Sequence, residues 1–143
     1  MINEVNEALC LLLGRELPPG AAVRLDPPKP TWQTETPSDA VDLFLFGLYR
    51  DADEDGVRRC RLSYLVTARA ARVDDEHRLL DQALRTAMRT ETVPKDCFGT
   101  GFADGGQPVR LDLAETGPGA LWTNLGMPAR AAFVLEVSVP VAE

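Results

Sequence analysis

Residues 41–70 read VDLFLFGLYRDADEDGVRRCRLSYLVTARA. The first part, residues 41–49, is apolar on both alternating faces, which favours a strand covered on both sides in the middle of a sheet. Residues 57–70 alternate again, and the polar, acidic residues 50–56 between the two parts are typical of a turn. The segment therefore predicts a long antiparallel hairpin with a short charged connection.

Amphipathic helices are predicted on both sides of this hairpin. Apolar residues recur at helical spacing in residues 3–17, and Pro18-Pro19-Gly20 ends that pattern. Residues 74–90 form the clearest helix, with Asp74 or Asp75 as its N-cap. We expect its buried stripe to consist of Leu80, Ala83, Leu84, Ala87 and Met88.

Shorter elements complete the chain. Residues 23–25 and 109–113 predict short strands, residues 129–141 predict a long strand with one buried face, and a short helix follows Gly117-Pro118-Gly119. The proline-rich residues 26–38 predict an extended loop anchored by Trp32, and the glycine-rich residues 97–108 an exposed, mobile loop. This order predicts an α+β fold: a mixed, largely antiparallel sheet with a long hairpin and helices packed on one side.

Length and composition restrict the class of protein. A chain of 143 residues with 45% hydrophobic residues is expected to form one domain, residues 1–143, with its own core. The net charge of -7 argues against general binding of nucleic acid, which needs a cationic face. No segment reaches the roughly 18 apolar residues of a membrane-spanning helix. Three cysteines without a C-x-x-C pair favour reduced thiols in a reducing compartment.

Two segments carry residue types that could support chemistry. Asp51, Asp53 and Asp55 with Gly56 match the first half of a Ca²⁺-binding EF-hand loop, but Leu62 stands where the loop needs a bidentate Glu and the flanks predict strands. His77 is the single histidine, and it follows the acidic run that starts at Asp74. Consecutive helical residues point in different directions, so this run is better explained as a helix start than as a metal site. We therefore expect no catalytic residue, no metal and no cofactor.

Arginine and tryptophan offer the better candidates for contacts with other proteins. Thirteen of the 15 cations are arginines, and Arg58, Arg59 and Arg61 form the densest cluster. Arg59 and Arg61 should share one face of their strand, with Arg58 on the other, so that two guanidiniums could meet carboxylates or a strand edge of a partner. Edge protection is the alternative explanation for this cluster. Trp32 and Trp122 are anchors of a loop or core, or interface residues.

Four segments, taken together, carry a resemblance to a known family. They are residues 1–13 (MINEVNEALCLLL), 41–51 (VDLFLFGLYRD), 61–88 with RLSYLVTARA and DDEHRLLDQALRTAM, and 120–141 (ALWTNLGMPARAAFVLEVSVPV). Their order resembles the small cap, or tail-terminator, proteins of phage-tail-like contractile injection systems of the antifeeding-prophage and virulence-cassette types. The most specific parts are LSYLVTA with the DxEH helix start, and an LWxxLG-PxR motif that contains Trp122 and Arg130.

The resemblance implies a structural, non-enzymatic protein. Such a cap forms a six-fold ring on the end of the inner tube, stops its growth and holds the last sheath layer, so the implied partners are further copies, tube subunits and sheath subunits. The implied location is cytoplasmic assembly, as part of a particle that stays in the cell or is released. Trp32, Arg58, Arg59, Arg61, Trp122 and Arg130 are the expected interface residues. The alternatives are a Ca²⁺-responsive or small-molecule-binding module, and a small enzyme that uses His77 and Asp74.

Overall fold

The computed structural model describes residues 1–33 and 38–142. Residues 34–37 of the predicted extended loop lie outside the described residues. Within the described part, two short 3₁₀ turns, Pro30–Gln33 and Lys95–Cys97, accompany the main elements. The helices are α1 (Ile2–Gly14), α2 (Val73–Arg89) and α3 (Gly119–Leu125), and the strands are β1 (Ala22–Arg24), β2 (Ala40–Glu54), β3 (Val57–Arg69), β4 (Arg110–Leu113) and β5 (Phe133–Pro140).

The five strands form one sheet in the order β1-β2-β3-β5-β4. Only β1 and β2 run parallel, and the other three pairs are antiparallel. The predicted α+β fold with a mixed, largely antiparallel sheet is therefore confirmed. β2 and β3 pair along their whole length, from Ala40 opposite Arg69 to Glu54 opposite Val57, and this pairing confirms the long hairpin.

The connection of the hairpin is shorter than predicted. β2 continues through the acidic residues to Glu54, and only Asp55 and Gly56 make the turn, with φ angles of 51° and 77°. Two positive φ angles are characteristic of a type I′ turn, whose twist matches that of the flanking strands. The prediction of a turn over residues 50–56 was wrong because strand pairing overrode the polar composition of residues that are solvated on an exposed hairpin.

The sheet is covered on both faces. α1 and α2 cover one face, where Leu43, Tyr64, Val66 and Leu135 belong to the main core. α3 covers part of the opposite face, where its Trp122 packs with Leu65 and Val134. The two long helices therefore follow the predicted packing on one side, and α3 is the exception. The physical reason is the double apolar alternation of β2, whose second face needs a cover of its own.

Helix α2 is rotated relative to the expected orientation. Its buried residues are Leu79, Ala83, Thr86 and Ala87, whereas Met88, which we expected in the core, is 66% exposed. The N-cap residue is Arg72, without a side-chain capping bond, rather than Asp74 or Asp75. Two adjacent stripes of α2 are apolar, one with Leu79 and one with Met88. Packing of α2 against β2, β3 and β4 decides which of them faces the core.

The two edges of the sheet differ. The outer side of β4 is covered, since Val93 N donates to Val109 O at 2.8 Å and Leu111 N donates to Glu91 O at 2.9 Å. Among the described residues, the outer side of β2 pairs only with β1, over residues 40–42. The prediction of an interior strand therefore holds for the start of β2 alone. Beyond it, Leu48 and Tyr49 are exposed.

The glycine-rich segment is less exposed than expected. Cys97 is buried in the main core, and the rings of Phe98 and Phe102 stack with their centroids 4.3 Å apart. Both rings pack against the core. The prediction that residues 97–108 form an exposed loop overlooked these three apolar anchors.

Candidate interaction surface

The predicted interface residue Trp32 lies inside the protein. It is buried at the end of the sheet where β2 begins, and the guanidinium carbon of Arg69 lies 4.2 Å from the centroid of its ring. Arg69 in turn donates to both carboxylate oxygens of Asp42, at 2.9 and 3.0 Å. This stacked and ion-paired arrangement gives Trp32 the role of a loop anchor.

Arg130 belongs to the same cluster. Its guanidinium carbon is 5.6 Å from the centroid of the Trp32 ring, and Nη2 donates to Glu76 Oε2 at 3.1 Å and to Ala68 O at 3.3 Å. It thereby joins the segment before β5 to α2 and β3. Trp122 is also internal, in the smaller core under α3. Three of the six candidates therefore contribute to folding within one chain.

Arg59 is the most deeply buried member of the arginine cluster, with 4% of its surface exposed. Its Nε donates to Ser138 Oγ at 3.0 Å, and Nη2 donates to Ser138 O at 2.9 Å and to Pro108 O at 2.6 Å. Burial lowers the pKa of the Arg59 guanidinium, although a guanidinium stays charged at every ordinary pH. Arg59 therefore ties β3 to β5 and to the segment before β4, and its hydrogen bonds lie within one chain.

Arg58 and Arg61 are the members of the cluster that solvent reaches. Arg61 lies 5.7 Å from the centroid of the Tyr49 ring and 3.5 Å from Glu136 Oε2. In the sheet, Arg59 lies opposite Asp51 and Arg61 lies opposite Tyr49, on the face that α3 covers. Arg58 is two residues from Cys60 and shares its face, which is the one covered by α1 and α2. The prediction that Arg59 and Arg61 share a face, opposite to Arg58, is confirmed.

A charged groove of about 520 Å³ occupies the part of the α3 face that α3 leaves open. We call it the acidic groove. It contains five carboxylates and three guanidiniums, from Asp51, Asp53, Glu54, Asp112, Glu136, Arg59, Arg61 and Arg110. No single motif could have predicted it, because its residues come from four different strands.

Hydrogen bonds hold two of these carboxylates in the ionised form. Ser138 Oγ donates to Asp51 Oδ2 at 2.6 Å, and this bond keeps the pKa of Asp51 below its usual value. Arg110 donates to both oxygens of Glu54, with Nη2 at 2.8 Å from Oε1, and lowers the pKa of Glu54. These two carboxylates therefore stay ionised to a lower pH than free carboxyl groups would.

The candidate metal-binding residues lie in strand β2 and at the hairpin turn, and the candidate catalytic residues lie in helix α2. Asp51 is part of strand β2 and accepts a hydrogen bond from Ser138. Among residues 1–33 and 38–142, no group of three or more His, Cys, Asp or Glu side chains is arranged to hold a metal ion. Asp74 Oδ2 lies 4.0 Å from Arg72 Nη2. His77 lines a shallow groove with apolar side chains of α2 and β5, among them Leu84 and Phe133. No described helix is long and apolar enough to cross a membrane.

Solved structures of other proteins share this fold, including the following two. One is described as the sheath/tube terminator of an extracellular contractile injection system, PVC, in the extended state; it has a TM-score of 0.72 and 22% identity over 99% of this chain. The other is described as the tube-terminating cap of the anti-feeding prophage, with a TM-score of 0.70 and 18% identity over 99% of this chain. The chain spans 56% and 54% of the lengths of these two proteins.

The fold likeness agrees with the resemblance found in the sequence. No curated protein matches the chain. A family model described as the Pvc16 N-terminal domain matches residues 4–143, which is nearly the whole chain. The chain therefore belongs to the Pvc16 N-terminal domain family.

Proposed function

We propose that this protein is a structural cap, or tail terminator, of a contractile injection system. In this role a ring of six copies closes the distal end of the inner tube, ends polymerisation of tube and sheath, and anchors the last sheath layer. The observation that carries the proposal is the common fold, over 99% of the chain, with terminators from two injection systems. Membership of the Pvc16 N-terminal domain family supports it.

The physical requirements of a terminator suit this fold. A tube grows because each added ring regenerates the surface on which the next ring binds, and growth stops when a ring binds that surface without regenerating it. A terminator therefore needs strong contacts to other chains and no reaction chemistry. The open outer side of β2, with exposed Leu48 and Tyr49, and the acidic groove offer such surfaces.

The role in the cell follows from the proposal. The ring is assembled in the cytoplasm together with tube and sheath subunits, as part of a particle that stays in the cell or is released. The protein performs no catalysis in this role. Neither the Ca²⁺-responsive module nor the small enzyme is favoured by the arrangement of Asp51, Asp53, Asp55, Asp74 and His77.

The test is tube length in particles assembled without this protein. Negative-stain images of a deletion strain should show tubes of variable length and sheaths detached at one end, because nothing ends growth. Expression of the wild-type chain should restore uniform length. His77→Ala serves as the matched control and should restore it equally, because the role needs no acid or base. Uniform tubes with intact sheaths in the deletion strain would refute the proposal.

A further inference from the structure

The end of the hairpin carries opposite charges on its two faces. We define the distal hairpin as residues 47–60, which join β2 to β3 around the turn at Asp55 and Gly56. Side chains directly opposite each other in an antiparallel pair lie on the same face of the sheet. The pairs Leu48–Leu62 and Arg50–Cys60 place Leu48 and Arg50 on the face of α1 and α2.

This face of the distal hairpin is apolar and basic. Leu48 is 61% exposed, and the side chain of Arg50 is 76% exposed and lies 3.7 Å from Asp53. Arg58 is exposed as well, and it forms no ion pair with any residue of the described ranges 1–33 and 38–142. We call Leu48, Arg50 and Arg58 the basic side.

The opposite face of the same hairpin borders the acidic groove. Its three guanidiniums are already engaged, because Glu54 binds Arg59 and Arg110, and Glu136 lies beside Arg61. The five carboxylates of the groove outnumber its three guanidiniums by two, and one of them, Asp53, also lies 3.7 Å from Arg50 of the basic side. Asp112 is exposed in β4, and its one hydrogen bond among the described residues is to its neighbour Leu113 N, at 2.8 Å. The groove is therefore ready to accept a cation from outside.

We infer that the basic side of one copy of this chain docks into the acidic groove of the next copy, with Arg58 of one copy facing Asp112 of the other. This inference rests on the proposed function, and it names the contact that builds the ring. A ring needs two different, complementary patches on each subunit, so that each copy gives one patch and receives the other. The two faces of one hairpin meet that requirement.

Charge complementarity selects a second copy as the occupant. Each copy carries a net charge of -7, so copies repel each other unless local contacts of opposite sign offset the repulsion. The basic side is an exposed cationic patch next to exposed apolar surface, and Leu48 and Tyr49 supply apolar area on either face of the same hairpin. Arginine and carboxylate also form the most directional ion pair available to side chains.

The test is a charge swap in the full chain. Arg58→Glu and Asp112→Arg should each convert the ring to the 15.6 kDa monomer in size-exclusion chromatography with light scattering, because each brings like charges together. An equimolar mixture of the two variants should recover the mass of the ring, and so should the double variant. Both residues are exposed, and unchanged thermal unfolding of each monomer confirms that the fold is kept.

Arg85→Glu is the matched control, since Arg85 is also an exposed arginine, on α2, where it pairs with Asp81 at 3.0 Å. It makes the same change in net charge and should leave the ring intact. Rings of full mass for Arg58→Glu and Asp112→Arg would overturn the inference, as would a wild-type protein that is a dimer or stays monomeric. The cap function is tested separately, by tube length in the deletion strain. Failure of this contact can therefore be distinguished from failure of the cap function.

Discussion

The two ends of the β2–β3 hairpin use the same residue types for different purposes. At the end where β2 begins, Arg69, Asp42 and Trp32 are buried and bind each other. At the distal end, Arg58, Arg61 and Tyr49 are reached by solvent. The comparison teaches that an arginine cluster is informative about assembly only where its charges are left accessible, because a buried guanidinium is needed by its own chain.

The largest effect is expected at the buried end. Asp42→Ala removes the two hydrogen bonds from the buried Arg69 guanidinium to Asp42, while the weaker ion pair with Asp26 at 3.4 Å stays, and should lower the free energy of unfolding by about 3–5 kcal/mol. Asp51→Ala, at the distal end, removes a partly solvated carboxylate and should cost roughly 1 kcal/mol. Urea unfolding of the two variants makes the measurement. Equal losses of unfolding free energy in the two variants would contradict the expectation that the buried end contributes more to stability.

Arg59 and Arg61 separate the two roles within one cluster. Arg59→Glu places a carboxylate in a buried site between Asp51 and Glu54 and should cost about 3 kcal/mol or more. Arg61→Glu changes a half-exposed side chain and should cost less than about 1 kcal/mol. Thermal unfolding of both variants measures these losses. An Arg59→Glu monomer as stable as the wild type would contradict the prediction for Arg59.

The turn at the distal end should have a smaller effect. Gly56 has a φ of 77°, a conformation that disfavours any side chain, so Gly56→Ala should cost about 1 kcal/mol. Gly99→Ala is a suitable control because an added Cβ there meets open space and its φ is not positive. Both variants are compared by urea unfolding. An unchanged stability of Gly56→Ala would argue against the type I′ turn.

The smallest effect concerns pH at the distal end. The bond from Ser138 lowers the folded-state pKa of Asp51 below its unfolded value, so its contribution to stability is present above about pH 4 and is lost as the pH falls through the folded pKa. Asp51→Asn lacks this titration. The difference in unfolding free energy between wild type and Asp51→Asn should therefore shrink between pH 7 and pH 3. A constant difference over that range would contradict the assignment.

Local patterns predicted most of the elements. The hairpin, the two long helices and the last strand follow from periodicity, because residues close in sequence determine which face of an element is apolar. Errors arose where distant contacts decide. The 17-residue helix α2 has two adjacent apolar stripes, and packing on the sheet selects the one that contains Leu79 rather than the one that contains Met88. The stacked rings of Phe98 and Phe102 pack against the core in a segment whose glycines predicted an exposed loop.

The candidate site was harder to predict than the fold. Strand alternation was enough to place Arg59 and Arg61 on one face and Arg58 on the other. It could not show that Ser138 and Pro108 enclose Arg59, since these residues are 79 and 49 positions away in sequence. Asp112 had no distinguishing signal in the sequence, because its place in the acidic groove depends on the strand pairing that brings it beside Glu136.

The sequence by itself determined the α+β class, the long hairpin and the resemblance to tail terminators, because these depend on patterns within segments and on their order. Only the tertiary structure decided which arginines remain accessible, where α3 packs and which carboxylates gather into the acidic groove. The physical reason is that burial and charge balance are properties of side chains brought together from distant segments, and the pairing of β3 with β5 and of β5 with β4 brings them together.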